Sequence, residues 1–164
     1  MEIARALGWL QTTPVAKAIS ENEILFPWIE SVHVLAIVLV VGTISIVDLR
    51  LLGVASLDRA VSRLMHDVLP YTWGAFVIAA ITGLLMFSSD AVNYAHNFFF
   101  RGKLVLLGLA GLNMAVFHIV GVGDVARWGN NQQTPLPAKA AAVISLLVWV
   151  SVVAFGRGIG FTMH

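Results

Sequence analysis

Histidines are the residues with the clearest capacity for chemistry, because four of the five lie in or beside long apolar segments. His33 lies near the start of the first apolar segment, and His118 lies near the end of the third. His66 and His96 lie in the connections between segments. Ionisable groups inside a membrane span are costly, which makes them candidates for function. Neutral imidazole binds haem iron, and helix bundles build such sites from side chains on facing helices.

Four membrane crossings would divide these histidines into two groups. Both termini then lie on one side, here called side A, and the connections after the first and third crossings lie on side B. His33 falls with His96 or Lys103 towards side A, and His118 falls with His66 towards side B. These groups predict one or two haems, and two would be stacked across the bilayer. In a second interpretation, the two histidines within spans hydrogen-bond a neighbouring helix, and the other two are ordinary interfacial residues.

Basic side chains near the span ends could meet the propionates of a haem, and Arg50, Arg101 and Arg157 occupy such positions. Simple ion pairs are the alternative interpretation of these charges. Asp48 precedes Arg50 by two residues, so the two could form a salt bridge at the membrane boundary. Glu30 and Arg157 both fall on side A, and we expect them to neutralise each other.

Two methionines adjoin these histidines in the sequence. Met114 and His118 stand four residues apart, on one helical face, and Met65 precedes His66. A thioether together with imidazole suits Cu(I), which makes copper transport or tolerance an alternative function. Packing in the apolar interior is the other use of such methionines.

Composition determines the elements that must position these groups. The chain has 164 residues, of which 59% are hydrophobic and 12% charged, with a mean hydropathy of +0.87. This predicts an all-α fold, an integral membrane four-helix bundle in a single transmembrane domain over residues 1–164. The expected spans are 24–47, 71–87, 103–122 and 138–155. Within the third span, Gly102, Gly108 and Gly111 would let a neighbouring helix approach closely.

The connecting segments carry their own signals. Residues 1–20 predict a short interfacial helix at the N-terminus, interrupted near Pro14, with a loosely ordered tail as the alternative. Residues 51–69 predict an interfacial or protruding helix that ends at Pro70. The segment DVARWGNNQQTPLP, from Asp124 to Pro137, is polar and rich in turn formers and predicts a loop.

Charge and cysteine usage exclude several classes of function. The net charge is +1 and the ten Lys and Arg residues are scattered singly, so no nucleic-acid partner is expected. There is no cysteine, which excludes disulfides, thiolate metal sites, iron–sulfur clusters and covalent haem attachment. Five basic residues fall on each side, so the positive-inside rule does not choose an orientation.

Three runs of the sequence resemble a known group of membrane proteins. These runs are WIESVHVLAIVLVVGTISIVDLRLLG, PYTWGAFVIAAITGLLMF and NFFFRGKLVLLGLAGLNMAVFH. They are similar to small four-helix bacterial membrane proteins related to the CopD domain of copper resistance and to HemJ-type protoporphyrinogen oxidase. Within that group they look closest to a branch with the DLRLLG and TGLLMF patterns. The resemblance extends from Trp28 to His118.

The resemblance implies a haem b site. In HemJ-type proteins, a histidine of the first helix, an arginine about seventeen residues after it and a lysine opening the third helix belong to that site. His33, Arg50 and Lys103 occupy the matching places, so His33 is the leading axial ligand that the resemblance implies. The LFYLPRL surroundings of the HemJ type are replaced here by IVDLRLL, which argues against porphyrinogen oxidation.

The function expected from these observations is that of a b-haem protein in the bacterial inner membrane. It would carry electrons between a quinone or periplasmic redox partner and another protein, as a homo-oligomer or in a larger membrane complex. The alternatives are a HemJ-like oxidase, a copper transport or tolerance protein, and a structural membrane subunit without a cofactor.

Overall fold

The computed structural model of the protein describes residues 2–125 and 134–162. Side chains at positions 3, 118 and 120–125 are not among those described, and neither are residues 126–133 of the expected loop. Within the described ranges all regular elements are helices, which confirms the all-α prediction. They are α1 (Glu2–Gln11), α2 (Pro14–Glu21), α3 (Leu25–Leu52), α4 (Val61–Ser89), α5 (Ala91–His96), α6 (Phe98–Val125) and α7 (Leu136–Thr162).

Four of these helices are long and apolar enough to cross a bilayer. The qualifying stretches are Leu25–Leu52, Val61–Ser89, Phe98–Phe117 and Leu136–Thr162, with mean hydropathies from 1.4 to 2.4. A span needs about 20 apolar residues. In each of these helices, at most 22% of the most apolar part is buried inside the protein. Most of the apolar side chains of the four helices therefore face outward. Such outward apolar surface is suited to lipid, and the chain is a multi-pass membrane protein.

The bundle consists of two closely packed hairpins, α3 with α4 and α6 with α7, which join where α3 meets α7. Within the first hairpin, the Thr72 hydroxyl donates to the Thr43 hydroxyl at 2.8 Å. In the second hairpin, the Asn113 amide donates to the Ala141 carbonyl at 3.0 Å. Hydrogen bonds of this kind hold membrane helices together where the hydrophobic effect does not act between them.

The connection between α3 and α4 differs from the sequence prediction. α3 continues to Leu52 and ends at Gly53, whose φ of 79° lies in the left-handed region that favours glycine. α4 then begins at Val61 and passes through Pro70 without ending. The prediction of a separate helix ending at Pro70 is therefore wrong. Pro70 removes only the hydrogen bond to the carbonyl of His66, and that turn lies at the exposed end of α4, where water can replace it.

The N-terminal helices cover part of the side-A end of the bundle. The predicted interruption near Pro14 is confirmed, because α1 ends before it and α2 begins there. α2 packs on α4 and buries Ala16 and Ile19. α1 packs beside α5, and the Gln11 amide donates to the Asp90 carboxylate at 3.0 Å.

The glycines of α6 serve different purposes. At Gly102 an added Cβ atom would collide with the ring of Phe155, so α7 approaches α6 closely there, as predicted. At Gly108 and Gly111 a Cβ atom would meet no atom within 4 Å. The prediction of close approach at these two positions is wrong, because no described helix packs against α6 at either one. Gly111 instead lines a cavity.

Candidate functional site

His33 on α3 is oriented by a residue on α4. Its Nδ1 atom lies 2.9 Å from the hydroxyl oxygen of Thr82. The same hydroxyl lies 2.7 Å from the Ile78 carbonyl of its own helix, an acceptor for its hydrogen. When the hydroxyl donates to this carbonyl, its oxygen accepts the Nδ1–H of His33, and in that tautomer the other ring nitrogen, Nε2, carries the lone pair. A histidine in this tautomer can bind a metal through Nε2.

A glycine and a lysine complete the surroundings of this ring. A Cβ atom at Gly83 would lie 3.1 Å from Cε1 of His33, so the ring packs directly against the backbone of α4. The Lys103 ammonium group on α6 is near enough to act electrostatically on His33. Its Nζ lies 3.7 Å from the position of a Cβ atom at Gly156 on α7. We call His33, Thr82, Gly83 and Lys103 the His33 site.

The other basic candidates on side A lie on the protein surface. His96 is exposed on α5, and its Nδ1 contacts the Val92 carbonyl of the same helix at 2.8 Å. Arg101 is exposed in the first turn of α6. Arg157 is also exposed, and its guanidinium group lies over the Phe161 ring, 5.3 Å from its centroid. The structure thus directs Arg157 to an aromatic ring and not to Glu30, its expected partner.

An aromatic cluster lies at the side-A end of the bundle. Phe87 and Phe100 stack with centroids 5.3 Å apart, and the Tyr94 ring meets Phe100 edge-on at 5.4 Å. Burial raises the pKa of the Tyr94 hydroxyl, and the nearby carboxylates of Glu30 and Asp90 raise it further. Tyr94 is therefore neutral at physiological pH, so the aromatic cluster carries no charge.

On side B, the two charged residues at the end of α3 do not pair with each other. Arg50 is 5% exposed and its Nε donates to the Arg59 carbonyl at 2.7 Å, which ties the following loop to the helix. Asp48 is 6% exposed and has the Ser145 hydroxyl on α7 as its hydrogen-bonding neighbour. The expected salt bridge is absent because side chains two residues apart point to different sides of a helix.

Asp48 faces a cavity of about 360 Å³ between the four spans. Its lining is mostly apolar, and we call it the Asp48 cavity. It includes the aromatic side chains Trp73, Phe76, Phe117 and Trp149. Among the described residues, no hydrogen-bond donor reaches Oδ2 of Asp48.

The sequence carries a signal for this cavity in the spacing of residues along α3. On α3 the cavity-lining positions are Val40, Ile44, Val47, Asp48 and Leu51. Their spacing of three and four residues is that of one helical face. An aspartate on an otherwise apolar face indicates a group directed into the bundle, whereas its place near the end of the span indicates the membrane boundary.

The remaining candidates lie on or near side B. The His66 side chain is 91% exposed, and its Nδ1 is 3.8 Å from the Asp67 carboxylate. His118 belongs to α6, and its side chain lies outside the described ones. Met65 and Met114 both line the Asp48 cavity. In the described part of the chain, no group of three or more His, Cys, Asp or Glu residues could hold a metal ion alone.

Comparison with known proteins gives one match. No curated protein and no solved structure matches the chain. Residues 15–162, which include all four spans and both sites, match a family of unknown function. The chain therefore belongs to this family, DUF6644.

Proposed function

We propose that the protein binds haem b in the side-A half of the bundle, with Nε2 of His33 as an axial ligand. In this proposal it carries electrons in the bacterial inner membrane, between a quinone or periplasmic redox partner and another protein. The supporting observation is the hydrogen bond from His33 to Thr82. Histidines that ligate metals almost always donate their other N–H to a carboxylate, a backbone carbonyl or water, which fixes the tautomer and the orientation of the ring, and in this proposal the Thr82 hydroxyl takes that role.

The residues around His33 suit a haem. Lys103 brings a positive charge into the same half of the bundle, where it serves as a second ligand or as a partner of a propionate. Gly83 leaves the space that the imidazole ring occupies. When bound, the haem supplies a one-electron iron couple, whose potential depends on the axial ligands and on the low dielectric. The protein's part is to orient the ligand and to keep water away from the iron.

One haem, and not two, is what the described residues favour. The His33 site has an oriented imidazole inside the bundle, whereas the His66 side chain points away from it. His96 is likewise directed to its own helix. In this proposal neither His66 nor His96 binds iron, and Arg101 and Arg157 meet propionates only if these extend to the surface of side A.

An optical spectrum of the reduced protein tests the proposal. The protein is purified in detergent from cells well supplied with haem, and a pyridine haemochrome assay gives the amount of haem b per chain. We expect about one haem per chain in the wild type and loss of the Soret band in His33→Ala. The control is His66→Ala, which removes an exposed imidazole and should leave the spectrum unchanged. A colourless wild-type preparation would overturn the proposal.

A second variant tests the role of Thr82. Thr82→Val keeps the shape of the side chain and removes the acceptor of the His33 Nδ1–H. We expect the affinity for added haem to fall by about 10-fold to 100-fold, the range typical for loss of such an outer partner. Thr82→Ser, which keeps the hydroxyl, should retain the affinity of the wild type. Equal affinities in all three proteins would show that Thr82 does not orient a ligand.

A further inference from the structure

We propose that the Asp48 cavity is a binding site for a lipophilic ammonium compound, whose charged nitrogen meets the Asp48 carboxylate and whose apolar body lies among the aromatic side chains. The proposal concerns side B and does not depend on a haem at the His33 site.

The unsatisfied carboxylate of Asp48 is the first feature that favours a cationic ligand. Asp48 is 6% exposed, and Oδ2 receives no hydrogen bond from the described residues. A buried polar atom without a partner costs free energy, and a buried charge without a counterion costs more. The nearest basic residue on the same helix, Arg50, donates to the Arg59 carbonyl instead. In the described part of the bundle, Oδ2 of Asp48 can therefore accept a hydrogen bond, and no cation is in place to donate it.

The second argument is the shape and lining of the cavity. Its volume of about 360 Å³ falls at the lower end of the range for small-molecule sites, roughly 300–1,000 Å³. Trp73, Phe76 and Trp149 contribute aromatic rings to the same space as the carboxylate. Aromatic faces attract cations, and sites for ammonium ligands commonly combine several of them. A carboxylate and aromatic rings in an apolar cavity therefore select for an organic cation.

Other classes of ligand fit this site less well. An anion would be repelled by Asp48. A ligand that only accepts hydrogen bonds, such as a quinone, would leave Oδ2 without a donor. A hydrated metal ion would find mainly apolar walls, and the described residues contain no group of three ligands to replace its water. A protonated amine supplies both the charge and the N–H donors that the carboxylate lacks.

The helix arrangement indicates how such a ligand enters. α4 and α6 both line the cavity, yet they do not pack closely against each other as the members of each hairpin do. The cavity thus lies behind the gap between these two helices. A lipophilic amine concentrates in the bilayer, and in this proposal it reaches Asp48 through this gap.

The test compares one amine with its neutral analogue. Phenylbutylamine and phenylbutanol are titrated into the purified full-length protein in detergent at neutral pH, and binding is followed by calorimetry and by tryptophan fluorescence. We expect the amine to bind at least about 10-fold more tightly than the alcohol, equivalent to about 1.4 kcal/mol. If the alcohol binds as tightly as the amine, the carboxylate does not recognise charge and the proposal is overturned. This comparison needs only the wild-type protein.

Variants then locate the site. Asp48→Asn keeps the size of the side chain and removes its charge, and we expect the preference for the amine to disappear. The control is Glu30→Gln, which removes an exposed carboxylate from the same helix and should leave binding unchanged. His33→Ala should also bind the amine like the wild type, which separates this proposal from that of the haem. Undiminished amine binding by a folded Asp48→Asn variant would overturn the assignment to this cavity.

Discussion

The two halves of the bundle treat their polar groups in opposite ways. On side A, Nδ1 of His33 meets the hydroxyl of Thr82, and nearby glycines let side chains of neighbouring helices approach closely. On side B, one oxygen of Asp48 has no donor among the described residues, and the helices leave a cavity beside it. The comparison teaches that a hydrogen bond between helices fixes the orientation of a side chain, whereas a buried acceptor without a donor can itself recognise a ligand.

The largest expected loss of stability follows from a bulkier side chain at a tightly packed position of side A. Gly102→Val would place side-chain atoms where the Phe155 ring of α7 lies. We expect the free energy of unfolding in detergent to fall by about 3 kcal/mol, the upper part of the range for overpacking. Gly108→Val, on the same helix but with no atom within 4 Å of its Cβ position, is the matched control and should cost less than about 1 kcal/mol. Equal losses would show that side A is not the more tightly packed half.

Removal of the acceptor of His33 should destabilise the protein even without a ligand. Thr82→Val removes the hydroxyl that faces Nδ1 of this half-buried ring. We expect a loss of about 1–3 kcal/mol in the free energy of unfolding, measured on protein free of haem. Thr82→Ser should lose less than about half of this amount, since the hydroxyl remains. A stable Thr82→Val variant would contradict the role given to this hydrogen bond.

Removal of the Asp48 carboxylate on side B should stabilise the protein, whereas removal of the Thr82 hydroxyl should destabilise it. In Asp48→Leu an apolar side chain of similar length replaces a buried group that lacks a donor. We expect the free energy of unfolding to rise by about 1 kcal/mol, because burial of the unsatisfied oxygen is avoided. Thermal unfolding in the same detergent measures the change. A marked loss of stability would show that Asp48 is fully satisfied in the protein, and the contrast between the two halves would disappear.

The smallest effect is expected at the wall of the cavity. Gly111→Ala adds one methyl group where no atom lies within 4 Å and improves the helix propensity of α6. We expect a gain of about 0.5–1 kcal/mol in stability. In the test with phenylbutylamine, the added methyl group should weaken binding, because it occupies part of the cavity. Unchanged binding would place the ligand away from Gly111.

Much of the architecture follows from the sequence alone. Apolar segments of spanning length predict four membrane helices, and Pro14 predicts the break between α1 and α2. At Pro70 the prediction is wrong, because α4 continues through this residue. A proline in a membrane helix is tolerated where other groups satisfy the carbonyl that it frees. His33 and Lys103 were expected in the same half of the bundle because the direction of each span is fixed by the number of crossings.

The rotation of each helix about its axis was harder to infer. The rotation of α3 directs the Arg50 side chain to the Arg59 carbonyl and the Asp48 side chain to the cavity. It also determines that Thr82, which is not ionisable and attracts no attention in the sequence, meets His33. Such contacts depend on how the helices pack, and membrane spans that are apolar on all sides give little information about this.

The most direct test of the central claim is chemical rescue of the axial ligand. His33→Gly removes the imidazole and leaves a space of its size beside Thr82 and Gly83. The account predicts that this variant binds no haem in plain buffer and regains the spectrum of the wild type when imidazole is added. Haem binding by His33→Gly without imidazole, with an unchanged spectrum, would contradict ligation by His33.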